Sequence, residues 1–313
     1  MKGAAEVSVR AQRAPRRDVH GVLLLDKPVG LTSNDTLQKA KRCFAARKAG
    51  HTGSLDPLAS GLLPVCFGEA TKLSAFLLDA DKHYAVTCRL GIRTRTADAE
   101  GDVVETRPVP ALGRELLERT LSGFQGEIMQ VPPMYSALRH QGRRLYDLAR
   151  EGIEVERAAR PVTIRDLRLI GWTADELMLE VRCSKGTYVR TLVEDVAAAL
   201  GTCSHVTALR RLGVGAYGRD LPIHSLAELD ARRIQGYEAL DALLLPVDSA
   251  VAGWPKVVLG ADAAWYFGKG QAVFVSGAPT VGRVRAYGGE RFLGVGEIVD
   301  DGRVAPRRLM NLP

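Results

Sequence analysis

A single carboxylate, Asp56, stands in the stretch Gly50 to Pro64, GHTGSLDPLASGLLP, where Gly, Ser and Thr set the character of the loop. Upstream, Thr36 to Leu55 carries Lys39, Lys41, Arg42, Arg47 and Lys48 and no acid. Asp56 therefore sits at the edge of a positive field, which suits a polyanion and favours the ionised form of a nearby carboxylate. One acid so placed can act as nucleophile or as proton acceptor on an anionic polymer held over it. An Asp before Pro in a Gly-rich loop is also a common Asx-turn residue, so the loop alone leaves both uses open.

Other residues could share that chemistry. In GTYVRTL, Tyr188 and Arg190 are two apart, which puts them on one side of a strand. A guanidinium beside Asp56 would hold the acid ionised and oriented. Core packing for the tyrosine and solvent for the arginine are the ordinary alternatives. Tyr84 in DKHYAV reads on its own as a buried strand aromatic. Leu209 in ALRRLG reads as core. His51, five residues before Asp56, lies in a polar, Gly-flanked turn near Lys48 rather than on an apolar face.

The elements that must position these residues are partly visible. Gly21 to Leu25 is an apolar run consistent with a buried strand, and Lys27-Pro28-Val29-Gly30 turns the chain. Ser33 or Asn34 can cap a helix whose Leu37, Ala40, Phe44 and Ala45 share a face, leaving the five basic residues as a ridge leading to the Asp56 loop. Tyr84 to Leu90 alternates as a strand. Gly91 to Asp102 is a polar excursion before Val103 and Val104, and Leu112 to Phe124 fits a helix ending near Gly123. Between Gln130 and Ala159 lies a long segment with the basic group Arg139, His140, Arg143 and Arg144; loops of that length are functional or mobile. Val162 to Gly171 and Leu177 to Cys183 read as strands, and Tyr188 to Leu200 as a strand end passing into a helix closed by Gly201. Gly213 to Gly218 satisfies G-x-G-x-x-G but opens no helix, so it reads as turns rather than a dinucleotide site.

Composition narrows the class. The 313 residues favour two domains, and 46% hydrophobic with 25% charged residues reads as globular. A net charge of +7 and pI near 9.3 favour an anionic partner. Five cysteines without C-x-x-C spacing indicate neither a disulfide framework nor zinc, and fit a reducing cytoplasm. No run approaches the ~18 apolar residues of a membrane span. Residues 1 to 19, with Lys2, Arg10, Arg13, Arg16 and Arg17, read as a disordered basic arm. Residues 251 to 313 hold 11 of the 32 glycines among short Val-rich runs at Lys256 to Leu259, Ala272 to Val275, Arg283 to Tyr287 and Phe292 to Ile298, the pattern of a small β barrel.

GHTGSLDPLASG resembles the active-site loop of the TruB family of pseudouridine synthases. The likeness extends, in family order, to LLLDKPVGLTSND (Leu23 to Asp35), DKHYAV (Asp81 to Val86), VPPMYSALRHQGRRLYDLAR (Val131 to Arg150) and CSKGTYVRTL (Cys183 to Leu192), while GEIVDDGRVAPRRL (Gly296 to Leu309) resembles the family's C-terminal domain. It covers nearly the whole chain from His20. The resemblance implies isomerisation of uridine to pseudouridine at position 55 in the T loop of tRNA, with Asp56 as the catalytic acid acting at C1′, at C6 or on the C2′ proton. It implies Tyr84 stacked on the uracil, Leu209 lining its other side, and Tyr188 and Arg190 at the active site. His51 would fill the space left by the flipped uridine, and Lys27 and Pro28 would position the loop. Residues 126 to 160 would form an RNA-gripping thumb, with Arg139, Arg143 and Arg144 as its contacts.

The fold expected is α+β: a catalytic domain over residues 20 to 250 with a mixed or antiparallel central sheet, then a PUA-like RNA-binding barrel over 251 to 313. The T-arm of tRNA is the expected partner, with no metal, cofactor, membrane, guide RNA or obligatory protein partner. An RNA-binding or tRNA-folding protein in which isomerisation is secondary would use the same basic cleft. A nucleoside or glycoside hydrolase would need a second carboxylate at a recognisable spacing, which the sequence does not display.

Overall fold

Gly21–Lys27 (β1), Ala49–His51 (β2), Ser60–Phe67 (β3), Lys82–Leu90 (β4), Gly126–Gln130, Arg160–Trp172, Glu176–Cys183 and Ser204–Val214 build the central sheet of the computed structural model, which describes residues 15 to 312. With Ile92–Thr94 as β5 and Val103–Thr106 as β6, Gly126–Gln130 is β7. The hairpin Arg139–His140 and Arg143–Arg144 gives β8 and β9, so the last three central strands are β10, β11 and β12. The sheet order is β1-β3-β12-β4-β11-β10-β7, with β2 on β3. Only β12 and β3 run parallel; every other neighbouring pair is antiparallel, so the sheet is mixed.

Strand alternation explains where the cores lie. On β1, Leu23 and Leu25 join Val65 and Phe67 against Leu37, Ala40 and Phe44 of the first helical region, whereas Val22 and Leu24 face Leu62, Cys66 and the C-terminal residues Tyr287, Phe292 and Val295. Both faces are covered, and β3 is accordingly an unbroken buried run. Farther along the sheet, Val86, Cys88, Leu177, Leu179, Val181 and Leu209 form a third core with Leu192, Val193 and Val196.

The helices are α1 (Ser33–Cys43), α2 (Ser74–Asp79), α3 (Arg114–Ser122), α4 (Leu145–Arg150), α5 (Val189–Ala199), α6 (Leu226–Gln235), α7 (Tyr237–Asp241) and α8 (Ala261–Gly268). Thr32, rather than Ser33 or Asn34, caps α1: its hydroxyl accepts from the Asp35 N–H at 3.0 Å. Ala45 leaves the expected helix face at φ 48°, and Ala46 is buried in its place. Tyr188 and Arg190 do not share a strand. Tyr188 is the extended residue preceding α5, and Arg190 lies in the helix's first turn. The long segment after β7 is not structureless, since β8, β9 and α4 fold on one another with Leu145 and Leu148 buried.

The C-terminal region departs from the barrel expectation. Lys256–Leu259 (β13), Arg283–Gly288 (β14), Arg291–Ile298 (β15) and Val304–Leu309 (β16) form an open four-stranded sheet in that order, with α8 packed against it. Ala272 to Val275 contributes a single bridge, Val273 to Val304, instead of a strand, so the barrel is not closed. The boundary expected at 250/251 falls within the 3-10 turn Val247–Val251, and the core crosses it. Gly213 to Gly218 ends β12 in a tight turn closed by reciprocal Val214 and Tyr217 backbone bonds.

Residues 1 to 14 of the expected basic arm lie outside the described residues. Residues 15 to 19 do not fit disorder: Val19 is buried and Arg17 pairs with Asp241. Among the described residues no helix is long and apolar enough to cross a membrane.

Candidate active site

The Asp56 loop is pinned from four directions. Lys27, fully buried at the end of β1, donates its Nζ protons to the carbonyls of Ala59 at 2.6 Å, Pro28 at 2.9 Å and Pro57 at 3.3 Å. Gly30, in the following turn at φ 85°, donates its N–H to Pro57 O at 2.8 Å. Ser33 Oγ accepts from Leu55 N–H at 2.7 Å. From β12, Arg211 Nη2 donates to Gly53 O at 3.1 Å. Leu55 and Ala59 anchor the loop in the third core, each end worth a fraction of the ~1.5–3 kcal/mol of a fully buried large apolar side chain. Where the loop re-enters the sheet only glycine fits: a Cβ on Gly61 would lie 2.3 Å from Arg211 O, and its φ is 99°.

Within this frame Asp56 is aimed outward. Its backbone carbonyl closes a turn by accepting from Ala59 N–H at 3.0 Å, while its carboxylate meets Arg190 Nε at 3.0 Å. Arg190, only 5% exposed, also donates to Thr96 O and Tyr135 O, both at 2.7 Å, and lies 3.8 Å from the buried Asp98. Asp98 is fixed in turn by Thr96 Oγ1 and the Glu100 N–H.

Burial pushes the Asp56 carboxyl above its ordinary value, and Asp98 adds to the rise; Arg190 and Lys27 oppose it. Desolvation thus outweighs the cations that favour the ionised form. The Asp56 side chain nonetheless keeps 42% exposure, facing a cavity of about 320 Å³. Burial draws the Lys27 amine down to about 8, against the attraction of Asp56.

Tyr84, Tyr188, Arg190 and Leu209 line the same cavity as Asp56. Tyr84 on β4 lies opposite Arg211 of β12 and Val181 of β11. Tyr188 is held by reciprocal bonds with the Gln130 side chain: its N–H donates to Oε1 at 2.7 Å, and its carbonyl accepts from Nε2 at 3.1 Å. Burial raises both phenols, so each remains protonated at neutral pH. Cys183 also borders the cavity, but burial pushes its thiol up to about 11, so it offers no thiolate.

His51 and Pro28 are not in the cavity wall. His51 ends β2, with a buried Nδ1 lacking a partner, and its pKa is lowered by burial and by Arg211. Pro28 is exposed and contributes its carbonyl to Lys27. Arg139, Arg143 and Arg144 are exposed on the small hairpin: Arg143 pairs with Glu151, and Arg139 donates to Gly142 O at 2.7 Å. That hairpin's root reaches the site, because Ser136 and Ala137 line the cavity and Tyr135 binds Arg190. Arg211, Asp98 and Gln130 escape the sequence reading; each acts through a tertiary contact that no local pattern announces. Among the described residues no group of three His, Cys, Asp or Glu side chains converges as metal ligands.

Residues 41–189 match the family description "TruB family pseudouridylate synthase (N terminal domain)". Residues 190–252 match "tRNA pseudouridylate synthase B C-terminal domain", and 255–310 match "Pseudouridine synthase II TruB, C-terminal". A tRNA pseudouridine synthase B from Nitrosococcus oceani is 57% identical over 302 residues, covering 96% of this chain and 98% of its own. The chain belongs to the TruB family of pseudouridylate synthases. A second TruB relative, the tRNA pseudouridine synthase B of Aeromonas salmonicida, is 57% identical over 309 residues, covering 96% of this chain and 97% of its own.

The fold is shared more widely than the family. A chain in the structure of an H/ACA RNP bound to a substrate RNA containing 2′-deoxyuridine superposes with a TM-score of 0.72 at 21% identity, covering 94% of this chain and 86% of that one. A chain of a Cbf5-Nop10-Gar1 complex gives 0.72 at 23% identity, covering 93% and 84%. The pseudouridine synthase fold is therefore present, with the TruB C-terminal domains following it.

Proposed function

We propose that this TruB-family chain converts uridine to pseudouridine at position 55 in the T loop of tRNA, with Asp56 as the catalytic acid. The observation that carries the reading is Asp56 paired with Arg190 at 3.0 Å on the wall of a cavity that Tyr84, Tyr188 and Leu209 also line. A cavity of that size accommodates one nucleoside, and on this reading the target base leaves the loop stack to enter it. Tyr84 and Leu209 hold the uracil between an aromatic and an apolar surface. Arg190 orients the carboxylate, Lys27 and Pro28 fix the loop that bears it, and Tyr188 shapes the pocket or assists loss of the C5 proton.

His51, outside the cavity wall, is assigned to the space vacated by the flipped nucleotide. Arg139, Arg143 and Arg144 are assigned to RNA phosphates, and residues 251 to 313 to a further RNA contact. The solved neighbours are described with partner proteins and RNA; this chain is proposed to act without them, in the cytoplasm, on the T-arm alone. No cofactor enters the reaction, which is an isomerisation.

Purified protein incubated with unmodified tRNA transcript, followed by chemical mapping, tests the reading. Pseudouridine at position 55 alone is expected. Asp56→Asn should abolish turnover while tRNA affinity stays within about tenfold, or ~1.4 kcal/mol. Near-normal turnover by that variant would remove Asp56 from the chemistry, and tight tRNA binding without any product from the wild type would favour an RNA-folding role.

A further inference from the structure

Arg211 heads the fully buried side chains by size, at 1% exposure, yet it borders the active-site cavity. Its Nε donates to Leu62 O at 2.7 Å and its Nη2 to Gly53 O at 3.1 Å. A guanidinium has five N–H donors, so these bonds leave donors to spare. Among the described residues no carboxylate lies within 4.0 Å of it, whereas its neighbour in sequence, Arg210, pairs with Asp26 and Arg190 is flanked by Asp56 and Asp98. A buried charge without a counter-charge is costly, and an apolar side chain of similar volume would pack the site at lower cost. The cost makes sense when a negative charge arrives during function. Tyr84 stands directly across the strand pair from Arg211, so that charge arrives where the base is held.

We propose that Arg211 stabilises the negative charge that the uracil ring acquires during isomerisation. The inference rests on the function proposed above, and it does not depend on the route taken by Asp56. If a carboxylate oxygen bonds C1′, the N1–C1′ electron pair leaves on the ring. If the oxygen adds to C6, the C5–C6 electrons move through C4 onto O4. If Asp56 removes the C2′ proton, a C1′–C2′ double bond forms and the N1–C1′ pair again departs with the uracil.

Each route loads the ring and its exocyclic oxygens with one negative charge. The charge is discharged as C5 bonds C1′, the C5 proton is lost and N1 gains one. In the first route the carboxylate leaves C1′ as C5 attacks; in the second the N1–C1′ bond breaks and the carboxylate is finally expelled from C6; in the last C2′ recovers its proton. Donors fixed in a dry wall stabilise such a charge without reorganising. A phosphate of the RNA backbone stays at the solvent side of the cavity, so a guanidinium this deeply buried is reached by the base.

The test compares Arg211→Gln with Arg211→Lys in single-turnover assays on a T-arm stem-loop, with RNA affinity and thermal melting recorded in parallel. Arg211→Gln is expected to slow the reaction by about 100-fold or more, the scale of losing one oxyanion donor, with RNA affinity within about threefold. Arg211→Lys, which keeps the charge but not the fork, should retain at least about a tenth of the wild-type rate. Equal loss in both variants would make Arg211 a loop clamp through Gly53 and Leu62, and overturn the proposal. Full rates in both would overturn it as well.

Wild-type protein alone gives an answer free of folding effects. 5-Nitrouracil, an anion at neutral pH, should compete with the stem-loop at least tenfold more strongly than neutral uracil; equal competition, or none from either, counts against the proposal. A wild type that makes no pseudouridine overturns the functional reading itself, and this inference with it.

Discussion

Replacing Arg190 with Met tests whether charge, rather than packing, organises the site. The guanidinium is 5% exposed and touches four groups: the Asp56 and Asp98 carboxylates and the Thr96 and Tyr135 carbonyls. Removing one member of a buried ion pair costs about 3–5 kcal/mol, because the remaining charge is left uncompensated. Asp98, 6% exposed in its side chain, bears that cost in full. Asp56, at 42%, is rehydrated from the cavity and adds little, so the lower end of the range, about 3 kcal/mol, is expected.

The pH dependence has a definite sign. Burial already raises the Asp56 carboxyl, and Arg190 is the strongest influence against it, so the variant's carboxyl rises further. A raised carboxyl makes the native state bind more protons than the unfolded chain, so stability falls as pH rises through that window. Urea unfolding of Arg190→Met should therefore show a smaller loss near pH 5 than near pH 8, and the acid limb of its turnover profile should move to higher pH. An acid limb of turnover that does not move would refute the electrostatic account of Asp56 and leave Arg190 as a hydrogen-bonding brace for Thr96 and Tyr135.

Two further outcomes are expected. Neutralising Arg139, Arg143 and Arg144 together should weaken tRNA binding and flatten its salt dependence by about 0.9 log unit per lost duplex contact, or ~0.7 per single-strand contact; an unchanged slope in filter-binding assays would make the hairpin an ordinary solvated surface, its Arg143–Glu151 pair included. For Lys27, whose amine falls from 10.5 to about 8 on folding, the unfolded chain binds more protons between those values, so its contribution to stability grows as pH rises from 8 to 10.5, by about 3 kcal/mol at most. Urea midpoints of wild type and Lys27→Met should thus diverge in favour of wild type across that interval, and parallel midpoints would show that the buried amine is not titrating there.

The strands were legible because their apolar patterns are local: β1, β4, β10 and β11 fall where runs and alternation put them. The start of α5 was not. Its preceding residue is Tyr188, which makes no side-chain capping bond, and Tyr-Val-Arg-Thr has strand-like composition, so nothing local marks a helix. Tyr188 and Arg190 nevertheless line one cavity, through an extended residue followed by a helical turn rather than through strand periodicity. The C-terminal sheet falls short of a closed barrel for a related reason. Ala272 to Val275 has strand composition but pairs at one residue only, and Val304–Leu309, with Pro306 and two arginines, supplies the fourth strand. Arg211 and Asp98 were illegible because their burial is set by β12 lying between β3 and β4 and by the turn after β5, both consequences of topology.

That topology gives the site an order of construction. The loop is fixed by cations acting on its backbone, Lys27 on Pro57 and Ala59 and Arg211 on Gly53, while its one carboxylate is left for a third cation, Arg190. Backbone carbonyls bound by charged donors contribute about 1.5–3 kcal/mol each, enough to offset the ~1–2 kcal/mol of backbone entropy per residue at the anchored positions. The Asp56 side chain therefore does not hold its own loop together, and its charge remains available to the cavity. Arg190 extends the arrangement outward, because it joins the Asp56 loop to Thr96 and Asp98 and, through Tyr135, to the root of the basic hairpin. The segment that carries Arg139, Arg143 and Arg144 is thus tied by one guanidinium to the acid 3.0 Å away, and any displacement of that root must be absorbed in the same hydrogen-bonding fork that orients Asp56.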